Sequence, residues 1–204
     1  LYDFVAKNYR YVSLSFGLGR YQPHAASEVF ANRYGDCKDK HTLLAALLSA
    51  VGLEAYPVLI STSRKIDPDV PSPLQFDHLI TAVPVGDDLL WMDTTTEIAP
   101  FRLLGANLRK KQALLIPTGA AGGSPRLVET PADPPFPIQQ RVEVTGKITD
   151  LGKLDARVRY VLRGDSELLL RSAFRRTPQA DWKKLAQLLA YADGFRAEVT
   201  EVSV

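Results

Sequence analysis

The chain has 204 residues, a formal net charge of +2, 46% hydrophobic residues and 24% charged residues, values of an ordinary globular chain forming one large domain or two small ones. So small a net charge argues neither for nor against an acidic partner, and no nucleic-acid interface is implied. The single cysteine excludes an internal disulfide framework and a cysteine-rich metal site, and no apolar run approaches the ~20 residues of a membrane span. No signal peptide is visible. Because the chain begins at Leu1 and its only methionine is Met92, it reads as a piece of something longer.

In chain order, residues 1–12 read as a short amphipathic helix, with Leu1, Phe4, Val5 and Tyr9 on one side. Residues 13–20, with Gly17 and Gly19, are strand or loop, and Pro23 biases Gln22 into a turn. Ser27 is placed to cap a small helix through Arg33, and Gly35 breaks it. Asp36 is the natural N-cap of the next helix, with Asp39 three residues on in a capping-box arrangement. Leu43, Leu44, Leu47, Leu48 and Val51 recur at helical spacing behind it, and Gly52 supplies the stop.

Residues 55–61 make a strand in which Pro57 argues for an edge position or a bulge. The proline-bearing residues 62–76 form a loop long enough to reach over a site. Residues 78–85 and 89–93 then form a β-hairpin around Gly86-Asp87-Asp88. Residues 94–111 are irregular, with room for one helical turn, and 112–116 are a further strand. Residues 117–137, rich in Gly and Pro, read as a linker able to contribute one edge strand at 126–129. Beyond it, 139–149 and 154–162 alternate as a second hairpin. Helices follow at 166–176 and 179–192, and 195–204 return to strand. The downstream module, 138–204, reads as incomplete, and its arginines and Trp182 read as surface charge and a packing anchor.

Cys37 is the residue around which the chemistry gathers. It falls at the first helical position, where the positive end of the helix dipole stabilises a thiolate. A lone cysteine is more often a small buried hydrophobe, but this one sits among charged residues at a helix start. A cysteine nucleophile needs a base and a group that orients the base. His78 opens the first strand of the hairpin and Asp93 closes the second, so the two are cross-strand neighbours if the turn is tight. A competing metal site of Cys37, His41 and either His24 or His78 has little weight, and His41 reads as a partly exposed helix residue. Lys38 and Lys40 would lower the thiol pKa while Asp36 and Asp39 oppose them, so charge counting yields no net direction.

These residues resemble a known family. The run Arg33-Tyr34-Gly35-Asp36-Cys37-Lys38-Asp39-Lys40, with the leucines behind it, is similar to the cysteine segment of the transglutaminase-like superfamily. Phe76-Asp77-His78-Leu79-Ile80 resembles its histidine strand, and Leu90-Trp91-Met92-Asp93-Thr94-Thr95 its aspartate element, with threonine where the family often has proline. The resemblance covers residues 1–116. The Gly-Asp-Cys-Lys-Asp form is similar to that of a bacterial branch whose core lies between flanking domains of unknown function.

The resemblance implies an α+β, papain-like core, a cysteine helix packed on an antiparallel sheet, followed by a smaller α+β domain. It implies Cys37 as nucleophile, His78 as general acid/base and Asp93 as orienting carboxylate, without a cofactor or metal. The reaction implied is acyl transfer from an amide of a peptide or protein through a thioester, as hydrolysis or transamidation. Relatives of this kind are often exported, which points to the periplasm. The backbone N–H of Cys37 is the natural first oxyanion donor, and Gln22 is the candidate for the second. The alternative from another class is a non-catalytic peptide-binding or scaffold domain that retains the fold, although a binder has no need of Cys, His and Asp together.

Overall fold

A computed structural model describes residues 1–13, 19, 21–119 and 123–204. Most of the strand or loop expected over 13–20, and residues 120–122 of the expected linker, lie outside the described residues. The chain divides into two compact units, Leu1–Phe136 and Pro137–Val204.

The first unit is mixed α+β. Its helical part comprises α1 (Tyr2–Asn8), β1 (Arg10–Tyr11), α2 (Ala26–Asn32), β2 (Tyr34–Gly35) and α3 (Cys37–Ser49). Its sheet comprises β3 (Tyr56–Ile60), β4 (His78–Val85), β5 (Asp88–Met92), β6 (Gln112–Leu115) and β7 (Arg126–Glu129). The strands lie in the order β5-β4-β3-β6-β7, and every neighbouring pair is antiparallel. The 126–129 segment of the stretch expected as a linker is thus the outer strand β7.

Helix α3 buries Leu43, Leu44 and Leu48 against Val5 and Tyr9, Val29 of α2, and Val83 and Met92 of the β4–β5 hairpin. A second cluster holds Val58, Ile60, Ile80, Ala82, Trp91, Leu104 and Leu115. Alternation along β4 separates the two: Ile80 and Ala82 belong to the second cluster, while Val83 joins the first. Gly52 ends the helix region with φ +78°, and Leu53 N–H returns to Leu48 O at 3.0 Å, a left-handed stop that glycine adopts without a Cβ penalty.

Four expectations are revised. The first helix stops at Asn8, because Tyr9 turns extended and residues 10–11 pair with β2 instead; Leu1 and Phe4 are exposed while Tyr2 and Ala6 are buried. Helix α2 is entered from Ala25, with no side-chain cap, so Ser27 falls inside it. Strand β3 is central and not an edge despite Pro57. The Pro57 carbonyl accepts from Ile116 N–H at 3.1 Å. A residue's N–H and C=O leave the strand on the same side, so the missing donor also faces β6, beyond the ladder that begins at Val58 opposite Leu115. Residues 195–204 form no strand, and the Gln187 side chain instead bonds Ala197 O and Val199 N–H.

The second unit holds the hairpin β8 (Gln139–Ile148) and β9 (Leu154–Arg163), then α4 (Asp165–Arg176) and α5 (Trp182–Ala192). Buried Glu167 is flanked by Arg163 and Arg171 at 3.4 and 3.0 Å. Trp182 packs edge-on to Phe174, ring centroids 5.6 Å apart, and donates its indole N–H to Phe174 O and Thr177 O, so it is an anchor.

Gly35 is required where β2 meets α3. A Cβ there would lie 2.6 Å from the Cβ of Asp39, a short stem anchored in the first turn. Gly35→Ala is expected to lower stability by about 1–3 kcal/mol in urea unfolding and to slow alkylation of Cys37. Unchanged stability and alkylation would show that the first turn yields without consequence.

Candidate active site

Cys37 is the first residue of α3 and is partly exposed. The Asp36 carboxylate accepts the N–H groups of Lys38 and Asp39, and Asp39 returns the contact to Asp36 N–H, completing a capping box. These caps take up the N–H groups next along the helix, and the N–H of Cys37 is not among them. A helix N-terminus leaves such donors free for an anion. Asp39 also accepts from His24 N–H at 2.8 Å and contacts the His24 ring at 3.2 Å. That tie holds the 21–24 loop against the first turn. Gln22 is exposed in this loop, with no hydrogen bond to Cys37 among the described residues.

His78 opens β4. The β4–β5 ladder pairs Thr81 with Met92 and Val85 with Asp88, around a two-residue turn in which Gly86 has φ +60°. Extending that register places Asp93 opposite Ile80, diagonal to His78. The His78 Nε2 atom lies 3.1 Å from Asp93 Oδ2, and both side chains are buried. The Cys37 thiol acts electrostatically on the same ring, and with Nε2 taken by Asp93 the nitrogen left over is Nδ1. Burial opposes a charge on His78, but hydrogen bonds to Asp93 and Cys37, and the charges they carry, prevail and raise its pKa to about 10. Burial likewise pushes Asp93 up, but its contact with His78 and the two Thr95 donors together pull it net below its ordinary value.

Thr95 was not read from the sequence as a site residue. Its N–H and hydroxyl both donate to Asp93 Oδ1, at 2.9 and 2.7 Å, leaving Oδ2 for the imidazole. The Asp-Thr-Thr run after a strand is a turn signal that could have revealed it. Tyr2 donates its hydroxyl to Asp93 O at 3.1 Å, fixing the aspartate backbone from α1. No local pattern announces that contact, which spans 91 residues.

The charged residues around the cysteine have other partners than the thiol. Lys38 pairs with Asp36. Lys40 is wholly buried and donates to Ala6 O and Tyr9 O at 3.2 and 2.6 Å, with burial lowering its pKa to about 8. His41 is buried, not partly exposed, because it faces β4: its Nδ1 is 2.8 Å from Thr81 Oγ1, and burial lowers its pKa to about 4. His24, His41 and His78 therefore engage three different partners, and the described residues contain no cluster of three or more His, Cys, Asp or Glu that could hold a metal ion.

A cavity of about 260 Å³ opens beside the histidine and aspartate, lined also by Tyr11, Thr62, Thr95, Thr96 and Asn107. Apart from His78 and Asp93 its walls carry hydroxyl, amide and apolar groups. Asp77 holds Thr62 in that wall, accepting its N–H at 2.7 Å and its hydroxyl at 3.0 Å.

A buried imidazole–carboxylate pair on an antiparallel sheet and a thiol at a helix start are the reactive groups of this site. Residues 1–91, a little under half of the chain, match the family model of the transglutaminase-like superfamily. That part of the chain is similar to the superfamily. The matched segment includes Cys37 and His78 and ends two residues before Asp93. No curated protein and no solved structure matches the chain. No helix among the described residues is long and apolar enough to cross a membrane.

The His78–Asp93 pair gives a signed pH dependence. The raised pKa of His78 contributes stability that is full below about 6.5, the unfolded histidine value, and lost as pH rises through about 10. The lowered pKa of Asp93 contributes stability present above about 3.9, the ordinary aspartate value, and lost as pH falls through its folded pKa. Both contributions are complete together only between about pH 4 and 6.5. Asp93→Asn should cost on the order of 3 kcal/mol there, with the deficit shrinking in stronger acid and in strong alkali. A deficit that does not vary with pH would show that the two groups are not an ion pair.

Proposed function

We propose that this protein is a thiol-dependent acyl-transfer enzyme acting on amide bonds of peptides or proteins through a thioester on Cys37. The observation that carries this reading is the 3.1 Å contact between His78 Nε2 and Asp93 Oδ2, with the Cys37 thiol at the same ring. Asp93 holds the imidazole in one orientation and favours its charged form. The imidazolium so held can hand a proton to a departing amine.

In the proposed reaction the Cys37 thiolate attacks the carbonyl carbon of the amide. The carbon–nitrogen bond breaks as His78 delivers its Nδ1 proton to the departing amine, leaving a thioester. His78, now neutral, takes a proton from the incoming acceptor, whose oxygen or nitrogen attacks the thioester and releases the thiolate. With water as acceptor the outcome is hydrolysis, and with an amine it is transamidation. The N–H of Cys37 is the first donor to the oxyanion, and Gln22 is proposed as the second.

Competition between iodoacetamide alkylation and pH is the test. Cys37 should be alkylated at least tenfold faster than a model thiol at pH 6, where an unperturbed thiol with pKa of about 8.5 is almost wholly protonated. His78→Ala should bring the rate back to the model value. Cys37→Ala should abolish cleavage of a peptide library and of amine incorporation alike. An ordinary alkylation rate in the native protein, or turnover that survives Cys37→Ala, defeats the proposal.

A further inference from the structure

We infer that Tyr11 is a further catalytic residue of this site, its phenolic hydroxyl donating a hydrogen bond to the acyl oxygen as negative charge develops there. The inference rests on the reading of Cys37 as nucleophile and adds a residue that the motifs do not contain.

The backbone places Tyr11 there. Strand β1 runs parallel to β2 with Tyr11 opposite Gly35, and the pairing is continued by Val12 N–H to Gly35 O at 3.0 Å. Gly35 is two residues before Cys37, so the strand that leads into the cysteine helix also fixes the backbone of Tyr11. Tyr11 lines the cavity with His78 and Asp93 and is 40% exposed, so a substrate in the cavity meets its ring.

Besides Thr96, two other hydroxyls of the cavity wall are committed. Thr95 donates to Asp93 and Thr62 to Asp77. The Tyr11 phenol lies instead in the field of Cys37, Asp36 and Asp93. Burial first, then the charge of Cys37, raise its pKa, against a contact with Ser13 that lowers it. The phenol therefore holds its proton more tightly than a free tyrosine does, as an oxyanion donor must.

Two reactions of one thiol separate this role from a structural one. Acetylation by p-nitrophenyl acetate passes through a tetrahedral oxyanion; alkylation by iodoacetamide does not. Tyr11→Phe, which removes only the hydroxyl, should slow formation of the acetyl adduct on Cys37 about 100-fold, while the alkylation rate stays at the wild-type value. An unchanged acetylation rate would overturn the role of Tyr11 alone. Equal slowing of both reactions would also overturn it, since the hydroxyl would then act on the thiol and not on the oxyanion. A wild-type protein that is alkylated but never acetylated would overturn the acyl-transfer reading, and the Tyr11 role with it.

Discussion

The cluster of hydrogen bonds around Asp36 and Asp39 is the constraint on which the rest of the site depends. Asp36 caps α3 and Asp39 reaches back to it, and the same Asp39 carboxylate anchors His24 in the preceding loop. Gly35 lets the chain pass over Asp39 with no Cβ between them. An N-cap of this kind is worth about 1 kcal/mol in isolation. Here it also sets where the helix begins, and therefore which residue occupies the first helical position. A start one residue later would rotate the thiol by about 100° and remove it from His78.

The surrounding elements hold that helix against the hairpin by buried polar contacts as well as apolar packing. Lys40 spans from α3 to the carbonyls of Ala6 and Tyr9, so it closes the C-terminal end of α1 while burying a cation whose pKa falls. His41 reaches the other way, to Thr81 of β4. Unpaired, either group would carry a large desolvation cost. Satisfied, they tie the helix to both neighbours through contacts that depend on direction. The leucine stripe alone would permit sliding, and the catalytic proposal needs distances held to a few tenths of an ångström.

Much of this was legible in the chain because the signals are local. The capping box, the helical leucines and the turn between β4 and β5 depend on residues within four or five positions of one another. The cysteine and histidine fall within the segment that matches the superfamily's model, and the hairpin register explains why His78 and Asp93 come within reach. Pro57 misled because the edge rule assumes a full ladder on both sides of a strand, whereas the β6 ladder begins one residue later. The strand expected at 195–204 had the right composition, but strand propensity without a neighbouring strand leaves the backbone groups unpaired, and Gln187 takes two of them.

The sequence by itself determined the cysteine helix and the main hairpin of the first unit, the place of the cysteine at a helix start, and the pairing of a histidine and an aspartate on one hairpin, since each follows from local backbone preference and side-chain period. Only the tertiary structure decided the surroundings of the site: Thr95 filling one oxygen of Asp93, Tyr2 holding its backbone, Tyr11 in the cavity wall with His78 and Asp93, Lys40 and His41 buried. The two charged residues nearest to looking like thiol activators, Lys38 and Lys40, turned out to serve a cap and a helix end. Such assignments depend on which atoms meet across tens of residues. No periodicity encodes them, because many packings share one hydrophobic pattern and the polar contacts select among them.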